Sequence, residues 1–122
     1  TAGSGGASGA DAFKEANGVK LALRVLDGIP AKELKGMVDE LRDQMGSGIV
    51  ALISTDGGKA SIVVGLTEDL AGKFSAVDLV RVGVEKLGGK GGGGRPDMAQ
   101  GGGPNADQAE AALAAIEATV AA

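Results

Sequence analysis

Lys90, Arg95 and Asp97 are the charged residues of an unusual segment, which reads GGKGGGGRPDMAQGGG from Gly88 to Gly103. Nine of its 16 positions are glycine. Glycine loses more backbone entropy on ordering than any other residue, so an ordered glycine cluster needs a compensating interaction. Where side chains are absent, successive peptide N–H groups can face an anion, and a lysine or arginine can complete the site. The segment therefore indicates either an anion-binding loop or a slack linker.

Three known phosphate- or RNA-binding patterns come close to this segment. Gly89, Gly91 and Gly94 satisfy the dinucleotide pattern G-x-G-x-x-G, but a predicted helix precedes them where that motif requires a strand. A Walker P-loop needs Gly-Lys-Ser/Thr, whereas Lys90 is followed by glycine. The stretch Gly88–Gly91 fits the short G-x-x-G loop that lies against an RNA backbone in KH domains. RNA contact is thus the binding chemistry that the pattern favours.

Composition by itself favours the linker interpretation, because glycine-rich stretches between helices are usually spacers. Residues Arg95–Gln100, however, read RPDMAQ, which is neither small nor repetitive. Asp97 is expected to pair with Arg95 or Lys90 and to hold the shape of the loop, and Met98 is expected to anchor it in the core. A spacer has no need of these side chains.

The composition of the 122-residue chain limits the chemistry further. It contains no histidine and no cysteine, which excludes ordinary zinc sites and Ser-His or Cys-His nucleophilic catalysis. The net charge is −4, but residues 81–95 hold four basic residues and one acidic residue, a local charge of +3. Such a distribution argues against non-specific coating of nucleic acid and favours a confined contact. No apolar run approaches the roughly 18 to 20 residues of a membrane span.

Hydrophobic periodicity predicts the elements that would position the segment. Val19–Leu26 alternates as a strand with one buried face, and the continuous apolar run Ile49–Ile53 indicates a strand covered on both faces. Leu34 to Met45 carries apolar residues at helical spacing. The predicted elements are the strand Val19–Leu26, the helix Ala31–Met45, the hairpin strands Ile49–Ile53 and Ser61–Leu66 around Asp56–Gly58, a helix capped by Ser75 and ending near Leu87, and a last helix that starts at Pro104 and Asn105 with Gln108 in a capping box.

These elements predict an α/β fold with a small mixed sheet and helices packed on it, in the order β-α-β-β-α-(Gly-rich loop)-α. The first three elements should form a right-handed crossover with parallel strands. Residues 1–16 are interpreted as a flexible lead-in, in which Asp11–Ala16 could form a helical turn anchored by Phe13. Residues 17–122 form the predicted domain.

From Gly88 to Gly103 the chain closely resembles the signature near the C-terminus of bacterial alanyl-tRNA synthetases. The likeness extends to NGVKLAL from Asn17, to MVDELRDQMGSGIV from Met37 and to the strand pair before Gly65. The chain is therefore similar to the C-terminal, DHHA1-type domain of that family from about Asn17 onward. The family usually has three glycines between the lysine and Arg-Pro-Asp, whereas this chain has four, Gly91–Gly94, and the extra residue is expected to shift the loop.

The resemblance implies that the chain is a non-catalytic part of a longer enzyme. Such an enzyme joins alanine to its tRNA with ATP and Mg²⁺, and a separate zinc-containing domain hydrolyses wrongly attached serine or glycine. The zinc ligands are histidine and cysteine, which this chain lacks, so no cofactor is expected within it. A cytoplasmic location is implied as well.

In that family the C-terminal domain is thought to hold the outer corner of the L-shaped tRNA and to link aminoacylation with editing. The implied partners are alanine tRNA and the other domains of the parent enzyme, and no membrane. A helical segment that commonly precedes the domain supports dimers, so a homodimer is expected to form through residues outside this chain. The candidate tRNA-binding residues are Gly88, Gly89, Lys90, Gly91, Gly92, Gly93, Gly94, Arg95, Asp97 and Gln100, with Lys86 and Arg81 as outer contacts.

Two alternatives remain at the level of sequence. The alanine-rich last helix could serve self-association, although close docking on the domain's own sheet is favoured by packing. The domain is also similar to the substrate-binding domain of DHH-type phosphoesterases, whose glycine-rich loop ends in histidine. Here Arg95 occupies the corresponding place, which makes a phosphoesterase site a poor fit. The alanines in question are Ala109, Ala111, Ala112, Ala114, Ala115 and Ala118.

Overall fold

The computed structural model describes residues 14–16, 18–89 and 92–121. This part of the chain forms six strands and four α-helices, and a short 3-10 helix precedes the last α-helix. The elements are β1 (Lys14–Ala16), β2 (Val19–Asp27), α1 (Ala31–Met45), β3 (Ile49–Asp56), β4 (Lys59–Leu66), α2 (Glu68–Ala71), α3 (Ala76–Leu87), β5 (Gly93–Arg95), β6 (Met98–Gly103), the 3-10 helix Ala106–Gln108 and α4 (Ala109–Ala121).

The strands form one mixed sheet in the order β1-β2-β3-β4-β6-β5. Strands β2 and β3 are parallel, as expected for a pair joined through a helix, and the other neighbours are antiparallel. The hairpin register places Ile49 opposite Leu66 and Asp56 opposite Lys59. This arrangement confirms the predicted small mixed sheet with helices packed on it.

Helices cover both faces of the sheet and define two apolar layers. Helix α1 buries Leu34, Val38, Leu41 and Met45 against one face. Helices α3 and α4 pack on the other face of the sheet. There they contact the side chains of β3 and β4 that point away from α1. The central run Ile49–Ile53 therefore contributes to both layers, and each of its five residues is fully buried. A strand covered on both faces has no reason to alternate with polar residues.

Most sequence predictions for this scaffold are confirmed. The helix predicted at Ala31–Met45 has those bounds, and Gly46 ends it with a φ of 73°. Strand β2 was predicted to bury one face only, whereas it buries residues on both faces of the sheet. Ala22 is fully buried beneath α1, while Val25, expected to be buried, is 40% exposed. Alternation could not reveal this, since alanine on the second face is small enough to be read as either exposed or buried.

The glycine-rich segment was predicted as a loop, and this prediction is wrong for two parts of it. Gly93–Arg95 and Met98–Gly103 are strands β5 and β6, and β6 pairs with β4 over six residues from Ala60↔Gly103 to Gly65↔Met98. Glycine is depleted in strands, so its abundance argued for a loop. The tertiary structure overrides that propensity, because α3 lies too close to β6 to leave room for side chains.

The N-terminal strand and the starts of two helices also differ from expectation. Residues Lys14–Ala16, expected to end a helical turn, form β1 antiparallel to β2, while Asp11–Phe13 lie outside the described residues. Ser75 occupies the N-cap of α3 but makes no side-chain capping bond. The last helix starts as a 3-10 turn at Ala106, and Gln108 forms no capping box. In β1, pairing with the neighbouring strand outweighs local helical preference.

Helix α4 docks on its own domain, as packing considerations favoured. Ala109 and Ala112 are buried with Leu113, Ile116 and Val120. Ala112 lies beside Gly83 of α3, where glycine permits close contact between the two helices. Ala114 and Ala118 are exposed, and Ala111 and Ala115 are half-buried. In the described part of the chain, no helix has both the length and the apolar character required to cross a membrane.

Candidate nucleic-acid interface

The turn between β5 and β6 is fixed to the scaffold by backbone hydrogen bonds. The N–H of Ala76, the first residue of α3, donates to the carbonyl of Pro96 at 2.8 Å. The N–H of Leu66, the last residue of β4, donates to the carbonyl of Asp97 at 2.8 Å. The charged RPD motif is therefore held by two elements that meet at one end of the sheet. This part of the segment is not a slack linker.

Most glycines of the segment are required by contacts within the domain. A methyl group on Gly101 would lie 2.6 Å from Cγ2 of Val84, and one on Gly92 would lie 2.8 Å from the carbonyl oxygen of Gln100. A methyl group on Gly103 would lie 2.7 Å from the amide nitrogen of Gly89. Real Cβ atoms essentially never approach so closely. The segment lacks side chains chiefly because the end of α3 lies directly on β5 and β6.

Gly88 is required by backbone conformation as well. It ends α3 with a φ of 79° in the left-handed region, and its N–H donates to the carbonyls of Glu85 and Val84. This is the usual glycine C-cap of a helix. The side chain of Asn105 lies where a Cβ on Gly88 would be. Glycine at Gly88, Gly89, Gly92 and Gly94 is thus explained without RNA, and their contact with RNA stays a prediction.

The sheet register decides which face carries the remaining candidates. Met98 packs against the layer beneath α1, and Ala99 against the layer beneath α3. Alternation therefore places Gln100 on the α1 side, and the register pairs Gly93 with Gln100 and Arg95 with Met98. Arg95 and Gln100 consequently border a groove between α1 and the β5–β6 edge, with a volume of about 450 Å³.

The lining of this groove combines three cations with two carboxylates. Its residues from α1 are Lys35, Asp39 and Arg42, and its residues from the other wall are Gly93, Gly94, Arg95, Asp97, Met98, Ala99 and Gln100.

Arg42 and Asp39 are engaged with each other. Nη1 of Arg42 donates to the carbonyl of Leu66 at 3.0 Å, and Nη2 contacts the carboxylate of Asp39 in a salt bridge. In contrast, the side chains of Lys35, Arg95, Asp97 and Gln100 make no hydrogen bond or ion pair with another described residue. The predicted Asp97–Arg95 pair is therefore wrong, while the alternative pair of Asp97 with Lys90 stays a prediction, because Lys90 lies outside the described residues. Within residues 18–89 and 92–121, these four side chains are therefore available to a ligand.

The predicted site residues are only partly brought together. Lys90 and Gly91 lie outside the described residues. Arg81 and Lys86 are exposed on α3, which covers the opposite face of the sheet from the groove. Gly88 and Gly89 line a different pocket of about 510 Å³ beside Lys59. Of the predicted contacts, Gly93, Gly94, Arg95, Asp97 and Gln100 share the groove.

Sequence analysis missed Lys35 and Arg42, the cations that α1 contributes to the groove. Lys35 and Arg42 precede the start of the glycine-rich segment by 53 and 46 positions. Only the pairing of β6 with β4, together with the packing of α1 over β4, brings the two parts of the chain together. A helical projection of Ala31–Met45 would have placed Lys35, Asp39 and Arg42 on one flank of the helix. It would not have shown what that flank faces.

The described residues also contain one perturbed carboxylate. Hydrogen bonds from the hydroxyls of Ser47 and Thr67 to Asp69, each 2.5 Å long, hold the pKa of Asp69 below its ordinary value of 3.8. The same Thr67 hydroxyl accepts from the N–H of Gly48 at 3.0 Å. The network ties α2 to the loop after α1 and has a structural role. Among the residues described, no group of three His, Cys, Asp or Glu side chains could hold a metal ion.

Comparison with known proteins identifies the family. The pattern of the DHHA1 domain matches residues 18–122. This chain belongs to the DHHA1 domain family. Its sequence is 65% identical over 113 residues to an alanine–tRNA ligase of Paramagnetospirillum magneticum, a match that covers 93% of the chain but 13% of the relative. The chain thus spans about an eighth of the length of the curated relatives that it matches.

The structure of this DHHA1 domain also resembles solved structures. It superposes on the C-Ala domain of alanyl-tRNA synthetase from Aquifex aeolicus with a TM-score of 0.85 and 28% identity, covering 91% of this chain and 99% of that one. A DHH-domain protein described as a member of the s1p family of ribosomal proteins shares the fold with a TM-score of 0.57 and 20% identity, covering 89% of this chain and 28% of that one. The second likeness shows the fold alone.

Proposed function

We propose that this DHHA1 domain is the C-terminal, non-catalytic tRNA-binding domain of an alanyl-tRNA synthetase. In this proposal it holds the outer corner of the tRNA while the parent enzyme attaches alanine with ATP and Mg²⁺ and removes mischarged serine or glycine at a zinc-containing editing domain. The chain has no histidine or cysteine, so the zinc ligands would belong to another part of the parent. The partners would be tRNA and the other synthetase domains, in the cytoplasm.

The position of Arg95 is the observation that carries the proposal. Arg95 is exposed on β5, the edge strand of the sheet, and no described residue forms an ion pair with it. The adjoining turn is held by the carbonyls of Pro96 and Asp97. A planar guanidinium held at a free edge can bind phosphate through two parallel hydrogen bonds or stack on a base. The identity to alanine–tRNA ligases indicates which RNA such a group would meet.

The charge distribution supports a confined contact. The chain carries a net charge of −4, so most of its surface repels a polyanion. Among the described residues, the cations that line the groove are Lys35, Arg42 and Arg95, whereas Arg81 and Lys86 lie on the opposite face of the sheet. With so few cations, affinity for tRNA should be modest and should fall steeply with salt.

Titration of the 122-residue chain with folded tRNA at two salt concentrations tests the proposal. The key variant is Lys90→Ala/Arg95→Ala, and the matched control is Lys20→Ala/Lys73→Ala, which removes the same charge from exposed positions away from the groove. Saturable binding that is weaker at high salt, lost in the first variant and retained in the control supports the proposal. Equal binding by both variants would place the contact elsewhere, and no binding by the unsubstituted chain would contradict it.

A further inference from the structure

We propose that the groove between α1 and the β5–β6 edge receives a single unstacked nucleotide of the tRNA. Lys35 and Arg95 contact its phosphate, and Asp97 and Gln100 contact the edge of its base. This inference rests on the proposed function and specifies the chemistry of its contact. It adds Lys35, which lies on a helix far from the glycine-rich segment in sequence.

The shape of the groove suits a ligand of this size. Its volume of about 450 Å³ falls within the range of small-ligand sites, roughly 300 to 1,000 Å³. Met98 forms part of its lining and is half-buried, with its other side packed against the layer beneath α1. An apolar surface bordered by convergent polar groups is the usual composition of a site for an aromatic ligand.

The polar groups of the groove that have no partner among the described residues favour a nucleotide over a bare phosphate. Asp39 is already neutralised by Arg42, which leaves Lys35 and Arg95 as cations, Asp97 as an anion and Gln100 as an amide. A carboxylate accepts hydrogen bonds only and repels phosphate. It is matched instead by the N–H donors that a base presents on its pairing edge, and sequence-dependent RNA recognition commonly uses such splayed-out bases. The groove therefore offers cations for phosphate and acceptors for a base.

Gly93 supplies an independent argument. Among the described glycines, three have neither a positive φ nor any atom within 4 Å of an added Cβ: Gly36, Gly72 and Gly93. Gly36 and Gly72 belong to α1 and to the end of α2. Gly93 is a strand residue, where glycine is unfavourable and where a side chain would project over the groove beside Gln100. The absence of a side chain there keeps the groove open, although no contact within the domain demands it.

The groove is preorganised by the scaffold. The carbonyls of Pro96 and Asp97 accept bonds from α3 and β4, which fixes the backbone that carries Arg95 and the Asp97 carboxylate. On the opposite wall, the bond from Arg42 to the carbonyl of Leu66 fixes α1 against the same end of β4. Both walls are therefore attached at Leu66. Little ordering of the backbone is needed when a nucleotide enters, and this favours binding.

The deciding experiment is fluorescence anisotropy of labelled folded tRNA with the 122-residue chain and its Asp97→Asn variant at low salt. Asparagine removes a negative charge, so a groove that binds only phosphate would bind tRNA more tightly. A groove that reads a base loses its best acceptor, and the Kd should rise about tenfold. Tighter or unchanged binding by Asp97→Asn overturns the inference. Because the carboxylate has no partner among the described residues, the variant is expected to keep the melting temperature of the parent chain.

A second pair of variants tests the groove sterically. Gly93→Val should fill it and raise the Kd about tenfold, comparable with the loss of one stacked base. Gly72→Val, at a glycine with equally open surroundings but outside the groove, should leave the Kd unchanged. Equal affinity of both variants would overturn the inference while leaving the proposed function intact. If the unsubstituted chain binds no tRNA, the proposed function fails and the inference fails with it.

Discussion

Gly101 of β6 lies directly against Val84 of α3. A methyl group on Gly101 would come within 2.6 Å of Cγ2 of Val84 and 3.1 Å of Cγ1 of Val80. The close contact of helix and strand explains why a segment of low strand propensity is part of the sheet. The valines fill the space that side chains of β6 would otherwise occupy, so the helix and the glycines form one packing unit.

Substitution of Gly101 by alanine should therefore destabilise the domain. Overpacking of a close-packed interface costs about 1 to 3 kcal/mol. Chemical denaturation of Gly101→Ala would measure this loss as a lower midpoint. Gly72→Ala is the matched control, because nothing lies within 4 Å of its added Cβ and its stability should stay close to that of the parent chain. Equal stability of the two variants would mean that α3 does not press on β6.

Ser54 is the buried polar residue whose loss should be most costly on β3. It is 3% exposed, and its Oγ accepts a hydrogen bond from the N–H of Ile29 at 2.9 Å. Ser54→Ala leaves that backbone N–H without its acceptor, which should cost about 1 to 3 kcal/mol of unfolding free energy.

Ser61→Ala is the control for that measurement. Ser61 is the register partner of Ser54 on β4 and is only half-buried. Thermal and urea unfolding of the two variants should separate them clearly. A loss of stability in Ser61→Ala as large as that in Ser54→Ala would contradict the assigned bond to Ile29.

Asp69 should make stability depend on acid pH. Its hydrogen bonds from Ser47 and Thr67 lower its pKa in the folded state, so the carboxylate stabilises the fold above its unfolded pKa. That contribution is lost as the pH falls through the lowered folded value, below 3.8. The difference in melting temperature between the parent chain and Asp69→Asn should therefore be constant near neutral pH and should shrink at acid pH.

The test is a series of thermal unfolding curves from neutral pH to below pH 3.8. Asp43→Asn is a suitable control, since Asp43 is also an exposed carboxylate and makes no hydrogen bond to another described residue. A difference between parent and Asp69→Asn that grows toward acid pH would have the wrong sign and would refute the assignment.

Lys35 should contribute to the salt dependence of tRNA binding. If Lys35 contacts a phosphate, Lys35→Gln should reduce the slope of log K against log salt by about one unit. Lys73→Gln removes the same charge away from the groove and should leave the slope unchanged. Parallel titrations at four or more salt concentrations would measure both slopes. Equal slopes for Lys35→Gln and the parent chain would exclude a phosphate contact at Lys35.

The sequence pattern was sufficient to predict the elements that bury a regular apolar stripe. Leu34, Val38, Leu41 and Met45 recur at helical spacing, and α1 has the predicted bounds. The turn at Asp56–Gly58 likewise indicated the hairpin of β3 and β4. Pattern failed at β5 and β6, because glycine has no side chain whose periodicity could indicate a strand. It also failed at Lys14–Ala16, a strand too short to have a pattern of its own.

The sequence by itself determined the family, the absence of histidine and cysteine chemistry, and the clustering of positive charge before Arg95. These properties follow from the identity and order of residues in one stretch of chain. Only the tertiary structure decided that the glycines form strands beneath α3, that Arg81 and Arg95 lie on opposite faces of the sheet, and that Lys35 borders the same groove as Arg95. The reason is physical: those relations depend on which strand pairs with β4 and how closely α3 packs on it, and both arise from contacts between residues that are distant in sequence.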